Sequence, residues 1–213
     1  MKFCVIGLGR FGYQVAITLA DNGMEVLAVD SSETLVNTIR DKVAQAICID
    51  AASEDALRSI GIESMDVVIV AIGSDFTQSI LVTALAKQHF GIPRVITRSI
   101  EAIHKEILML VGADQVILPE QEIGTRLADM LSLPFNALLR MTPTFSLTYR
   151  KAPLSCVGRP ISCLHENYNV VCIGKKQKES IEALSSDYVI AAQDVLVYAG
   201  NNSDLERLVR EKS

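Results

Sequence analysis

The stretch "CVIGLGRFGYQVAITLADNGMEVLAVD", residues 4–30, decides how this chain is read. An apolar, β-branched run stops at Gly7, and Gly7, Gly9 and Gly12 follow in the spacing G-x-G-x-x-G. A helical pattern begins inside that motif, and a second β-branched run ends on Asp30. The first glycine permits a tight turn, the second lets a pyrophosphate approach the backbone, and the third lets helix and strand pack closely. The helix then presents free N–H groups and a partial positive charge to phosphate oxygens. Asp30, placed to accept hydrogen bonds from ribose hydroxyls, would repel a 2′-phosphate, which argues against NADP. Its other possible role is a helix N-cap, for which Ser31 and Ser32 stand ready.

The alternation continues outward from this unit. Strand patterns fall at 2–6, 25–29, 45–49, 66–72, 94–98 and 114–118, with helical patterns at 11–22, 32–42, 53–60, 75–90 and 101–111 between them. Strand, helix, strand with short links means right-handed βαβ units. The fold class expected for residues 1–118 is therefore α/β, a Rossmann-like doubly wound parallel sheet of six strands. Residues 119–141 read as crossover helices broken or kinked at Pro134, because proline restricts the residue before it. Ile123, Leu127, Met130 and Leu131 repeat on one side there, suiting either a partner subunit or the chain's own sheet. Residues 142–213 change texture. The β-like runs "FSLTYR", "YNVVCIG", "YVI" and "DVLVYAG" precede a last helix at 203–212, which is a small α+β module.

In an open α/β sheet the ligand crevice lies at the carboxyl ends of the strands. Four more loops reach that edge: "IDAAS" (49–53), "AIGSD" (71–75), "TRSIE" (97–101) and "LPEQE" (118–122). Asp50 and Ala51 are candidates for a base pocket, and Arg10 and Arg98 for phosphates. Glu120 is a candidate for a bridging divalent cation, Mg or Ca. Phe11, Ser31, Ala71, Ile72 and Gly73 complete the set. The alternative readings are a surface charge for Arg98 and a first-turn acid for Glu120.

Composition narrows the partners. The 213 residues carry a net charge of −5. Residues 1–133 hold ten basic and seventeen acidic groups and 134–213 ten and eight, with no basic stripe, so duplex nucleic acid is excluded. Lys175-Lys176-Gln177-Lys178 reads as a solvated loop. No apolar run reaches the roughly 18 residues of a membrane span, and no signal peptide pattern precedes the first strand. A soluble, intracellular protein is expected, held at any membrane by something else. The five cysteines are odd in number and lack a C-x-x-C pair, so reduced core thiols are expected. Cys156 and Cys163, flanking a turn, are the only candidates for reactivity.

Catalysis is a poorer reading. His89 reads as a helix-end charge, His104 as a residue on the wet face of an amphipathic helix, and His165 as part of a loop. None joins a recognisable Ser/His/Asp or Lys/Asp arrangement, so no catalytic residue is assigned. An NAD-dependent oxidoreductase remains the alternative, and an NAD(H)-responsive redox regulator is a third reading.

The runs "CVIGLGRFG", "EVLAVD", "VVIVAIGSD" and "VGADQVILPEQEIG", with the later "LSCVGRPISCLHENYNVVCIG" through "QDVLVYAG", resemble the RCK family. These are the TrkA-N/TrkA-C regulators of potassium channels and transporters, here in the short single-unit form (the KtrA type). The resemblance implies a Rossmann domain, a crossover and an RCK C-terminal (TrkA-C) domain. It also implies no enzyme activity and a homo-oligomer, dimers assembling into an octameric ring. That ring would sit in the cytoplasm, peripheral to the membrane beneath a KtrB-like potassium-translocating subunit. ATP and ADP, with NAD(H) as the alternative, would occupy the Rossmann crevice. On this resemblance Arg10 reaches a γ-phosphate, held even by a neighbouring subunit, Asp30 binds ribose, and Glu120 helps hold the cation. Cyclic di-AMP is implied at the C-terminal dimer interface. The run Asp50-Ala51-Ala52-Ser53 departs from the family's "GDAT", keeping small residues and a serine able to cap the next helix.

Overall fold

The structure is a computed structural model that describes residues 1–132, 138–178 and 180–210. It divides into two compact units, Met1–Glu122 and Ile123–Ser213. In the first, β1 (Lys2–Ile6), β2 (Glu25–Asp30), β3 (Gln45–Cys48), β4 (Val67–Val70), β5 (Arg94–Arg98) and β6 (Gln115–Ile117) form one parallel sheet. Their order is β3-β2-β1-β4-β5-β6, the doubly wound topology. The central strands β1, β2 and β4 are continuous apolar runs because helices cover both faces. Those helices are α1 (Arg10–Asp21), α2 (Glu33–Ile39), α3 (Glu54–Ser59), α4 (Phe76–Ala84), continued by a π-turn at Leu85–His89, and α5 (Ala102–Leu110). Side chains alternate across the pleat, so Cys4, Ile6, Val68 and Val70 pack into one layer and Val5, Val67 and Ile69 into the other. Burial pushes the Cys4 thiol up to about 12, leaving it inert at neutral pH.

α6 (Pro119–Ser132) starts with proline, whose fixed φ suits a first turn, and carries Glu120 and Glu122 there. Pro134, at which a kink is expected, lies outside the described residues. Beyond them the expected helix gives way to strand: β7 (Leu138–Arg140) pairs antiparallel with β8 (Phe145–Lys151). Ladder pairing with β8 overrides the local helical pattern, which rested on residues before the proline. Ile123, Leu127, Met130 and Leu131 are all exposed.

The second unit is an antiparallel sheet, β10-β9-β11-β8-β7, completed by β9 (Val171–Gln177), β10 (Ser180–Glu182) and β11 (Val195–Asn201). Helices α7 (Cys163–Tyr168) and α8 (Asn202–Arg210) pack on its core with Tyr198 and Leu196. Four sequence expectations are corrected here. The run "YVI" contributes only a single bridge, Val189 to Pro160, because neither neighbour extends the ladder. His165 lies in α7 rather than a loop. Lys175 and Lys176 lie in β9 rather than a solvated loop, and Lys175 pairs with the buried Asp194 at 2.7 Å. Cys156 and Cys163 form a disulfide with Cα atoms 6.2 Å apart, where reduced thiols are expected; the turn between them folds both sulfurs into the same core.

Asp194 holds this unit's loop geometry. Its carboxylate also accepts from the Tyr188 hydroxyl and from the Ala191 N–H, each at 2.8 Å. Burial alone would raise its pKa, but the Lys175 ammonium and these two donors outweigh that and hold it below the usual carboxylate value. Stability from a depressed carboxylate is complete above the unfolded value, about 3.9, and is lost as pH falls through the folded one. Asp194→Asn is expected to destabilise the protein at neutral pH, since it removes the charge that Lys175 pairs with and weakens the hydrogen bonds from Tyr188 and the Ala191 N–H. It should also flatten the stability loss below about pH 4. Urea unfolding across pH 3 to 7 checks both.

Candidate nucleotide cleft

The cleft forms where β1 ends and α1 begins. Gly7 takes φ +95°, a left-handed conformation that only glycine adopts without strain. A Cβ on Gly12 would lie 1.8 Å from the Gly7 carbonyl oxygen, so helix and turn meet at backbone distance. A Cβ on Gly9 would meet nothing within 4 Å, and this is the open position facing an incoming ligand. Gly9 caps α1 without a side chain, leaving the first-turn N–H groups to the cleft.

Asp30 closes the adjacent side. Its Oδ2 accepts from Leu8 N–H at 2.6 Å and its Oδ1 from Ser32 N–H at 2.8 Å. Ser32 is the N-cap residue of α2, without a side-chain cap bond, and Asp30 accepts from the Ser32 N–H. Each carboxylate oxygen keeps lone-pair capacity for a ribose hydroxyl. Ser53 does cap α3, accepting from Ala56 N–H at 3.3 Å.

A cavity of about 440 Å³ follows, within the range of small-ligand sites. Gly7, Gly9, Asp30, Ser31, Ala51, Ala71, Ile72, Gly73 and Arg98 line it, as the sequence suggests. Gly12 and Phe11 stand behind as packing. Arg10 is exposed at the start of α1 without a partner among the described residues. Asp50 does not line the cavity; its Oδ1 accepts from Ala52 N–H and from Gln78 Nε2, at 3.0 and 3.2 Å. Gln78, Leu35, Ile49 and Ile100 line it without having been singled out. Their contribution is surface from helices and strand ends, which no short motif announces.

Arg98 is the cation of the cleft, and only 16% of its side chain is exposed. Its guanidinium sits against Gly73, where a Cβ would come within 2.6 Å of Nη1, and 5.6 Å from the Phe11 ring centre. Nη2 donates to Glu120 Oε1 at 2.5 Å, while Nε is buried with no partner. Glu120 thus stands beside the cleft on α6, its carboxylate 61% exposed. Among the described residues no cluster of three carboxylate, thiol or imidazole groups could hold a metal. Glu120 alone does not complete a cation site, so phosphate oxygens would have to supply the other ligands.

A second cavity of about 200 Å³ shares Gly73, Ser74, Arg98 and Ile100 with the first and extends to Ser79 and His104. His104 is half-buried rather than on a wet face, its ring stacked on Phe76 at 3.6 Å. His89 binds Glu54 and Arg58 at the end of the π-turn, far in sequence from the glycine loop.

A doubly wound sheet with a glycine turn, an acid ending β2 and a cleft at the switch point defines a Rossmann-type nucleotide-binding protein. This chain belongs to the TrkA-N domain family, whose match covers residues 3–119. It is 31% identical to "Ktr system potassium uptake protein C" of Bacillus subtilis over 97% of this chain and 95% of that one. It is 33% identical to "Ktr system potassium uptake protein A" of the same organism, over 99% and 96%. Among solved structures it resembles the GsuK RCK domain (17% identity, TM-score 0.65, all of this chain, 48% of that one). It also resembles a GsuK channel bound to NAD (16%, 0.68, all of this chain, 40% of that one). The chain spans about half the length of those solved chains or less, and the likeness to them is one of fold.

Gly12→Ala should cost about 3 kcal/mol or prevent folding, because backbone must move to admit the methyl group. Gly9→Ala should leave stability within about 0.5 kcal/mol. Thermal melts of the two variants side by side check this contrast.

Proposed function

We propose that this chain is a regulatory subunit of a potassium uptake system, sensing adenine nucleotides and performing no reaction on them. The observation that carries the reading is the coincidence of a preformed cleft, built by Gly7, Gly9, Asp30 and Arg98, with near full-length similarity to Ktr system proteins. In this reading the adenosine lies over Ser31 and Ala51, with ribose on Asp30. The phosphates lie on the first turn of α1 and Arg98, and ATP or ADP is the ligand. A divalent cation, Mg or Ca, would bridge Glu120 and phosphate oxygens.

The assembly we propose is a homo-oligomeric ring, octameric as in the resembled family, docked on a membrane-embedded potassium-translocating subunit. No described helix is long and apolar enough to cross a membrane, so that partner would supply the membrane contact. Two uncovered apolar faces support self-association. Ile100, Ile103, Ile107 and Leu110 follow helical spacing along α5 and its lead-in, and Ile123, Leu127 and Leu131 do so on α6, all exposed. Exposed Arg10 is free to reach the terminal phosphate of a nucleotide in a neighbouring subunit. Shifting a ring from 1:99 to 99:1 needs about 5.5 kcal/mol of differential binding. Spread over eight sites that is about 0.7 kcal/mol each, less than one charge-assisted hydrogen bond. Cyclic di-AMP at the C-terminal unit remains part of the proposal, with no residues assigned.

An NAD-dependent oxidoreductase is the competing reading, favoured by one observation: His104 borders the cavity beside Arg98. Calorimetry with ATP, ADP and NADH separates the two. ATP and ADP are expected to bind without turnover, and NADH oxidation with a carbonyl substrate would favour the enzyme. Arg10→Ala is expected to reduce the ATP-over-ADP preference about tenfold or more, as for loss of one charged hydrogen bond. An unchanged preference would remove the arginine from this role. Native mass measured alongside checks the ring.

A further inference from the structure

Arg98 has five N–H donors, and a single hydrogen-bond partner among the described residues, Glu120. The pair joins a mostly buried cation lining the cleft to a largely exposed carboxylate in the first turn of α6. A phosphate at Arg98 would bring two further negative charges against Glu120. It could also make the two-point contact that arginine favours with phosphate and that the single Glu120 bond does not provide. We propose that Glu120 is a resident anion of the cleft. Its carboxylate holds Arg98 while no phosphate is bound, competes with nucleotide phosphate for that guanidinium, and lets go of it when phosphate arrives. This rests on the nucleotide reading of the cleft and adds to it a selectivity residue. The competition weighs more on ATP, which carries the greater charge near Arg98, than on ADP.

It follows that α6, which leaves the first compact unit at Glu122 and continues into the second, has its first turn tied to the cleft by one ion pair. Phosphate occupancy unties that turn.

The test is calorimetric, on the full chain in EDTA at low salt. Glu120→Gln keeps the side-chain size and removes the charge. It is expected to tighten ATP about threefold, the scale of a half-exposed ion pair, and ADP less. The gain should shrink at about 0.5 M salt. In an Arg98→Gln background the same change is expected to bring no gain, since the competition acts through the guanidinium. ATP affinity that is unchanged or weaker in Glu120→Gln overturns the proposal, as does an equal gain with Arg98 removed. Failure of the nucleotide reading looks different: the unaltered chain, folded by its melting transition, would then bind neither ATP nor ADP, and both proposals would fall.

Discussion

The backbone contact between Gly12 and the Gly7 carbonyl is the constraint on which the rest of the cleft depends. With no Cβ at either position, α1 begins directly against the end of β1, and Ala71 at the exit of β4 closes in from the other side. The N-terminus of α1 is thereby aimed over the sheet edge, where its unsatisfied N–H groups face the cavity. Asp30 locks the same joint by accepting from Leu8 N–H, so the acid that ends β2 supports the turn while lining the cleft. A geometry suited to anions is thus part of the fold.

Charge is arranged around this joint with economy. Arg98 is the one mostly buried cation lining the cavity among the described residues, and its packing against Gly73 and Phe11 leaves it little freedom. A guanidinium confined this way has lost its side-chain entropy in advance, which favours phosphate over a flexible surface cation. The second unit places its own buried charge differently. Asp194 is met by Lys175, Tyr188 and the Ala191 N–H, so the carboxylate holds a loop. One buried charge keeps donor capacity for a ligand, and the other is paired with groups of its own unit.

The proposed association would cover the exposed apolar residues along α5 and α6. Isoleucines and leucines exposed to water along two helices are costly to leave so, and contiguous patches of this kind mark contact surfaces. The sequence alone left α6 undecided between its own sheet and a partner. In the structure those residues are exposed.

The glycine turn together with the strand–helix alternation over residues 1–118 was enough to read a doubly wound parallel sheet of six strands and the edge at which its cleft lies. The reason is local: glycine spacing, β-branched runs and helical periodicity act over a few residues, and βαβ units have one handedness. The C-terminal unit was less legible, because antiparallel pairing depends on partners far apart in the chain. β7 formed where a helix pattern stood, "YVI" failed to extend, and Cys156 met Cys163 across a turn. The same limit held within the site. Sequence named Arg98 and Glu120 as separate candidates for phosphate and cation, 22 residues apart. Only the packing of β5 beside β6 brought them into one ion pair, since a hydrogen bond between side chains is fixed by three-dimensional distance and not by spacing along the chain.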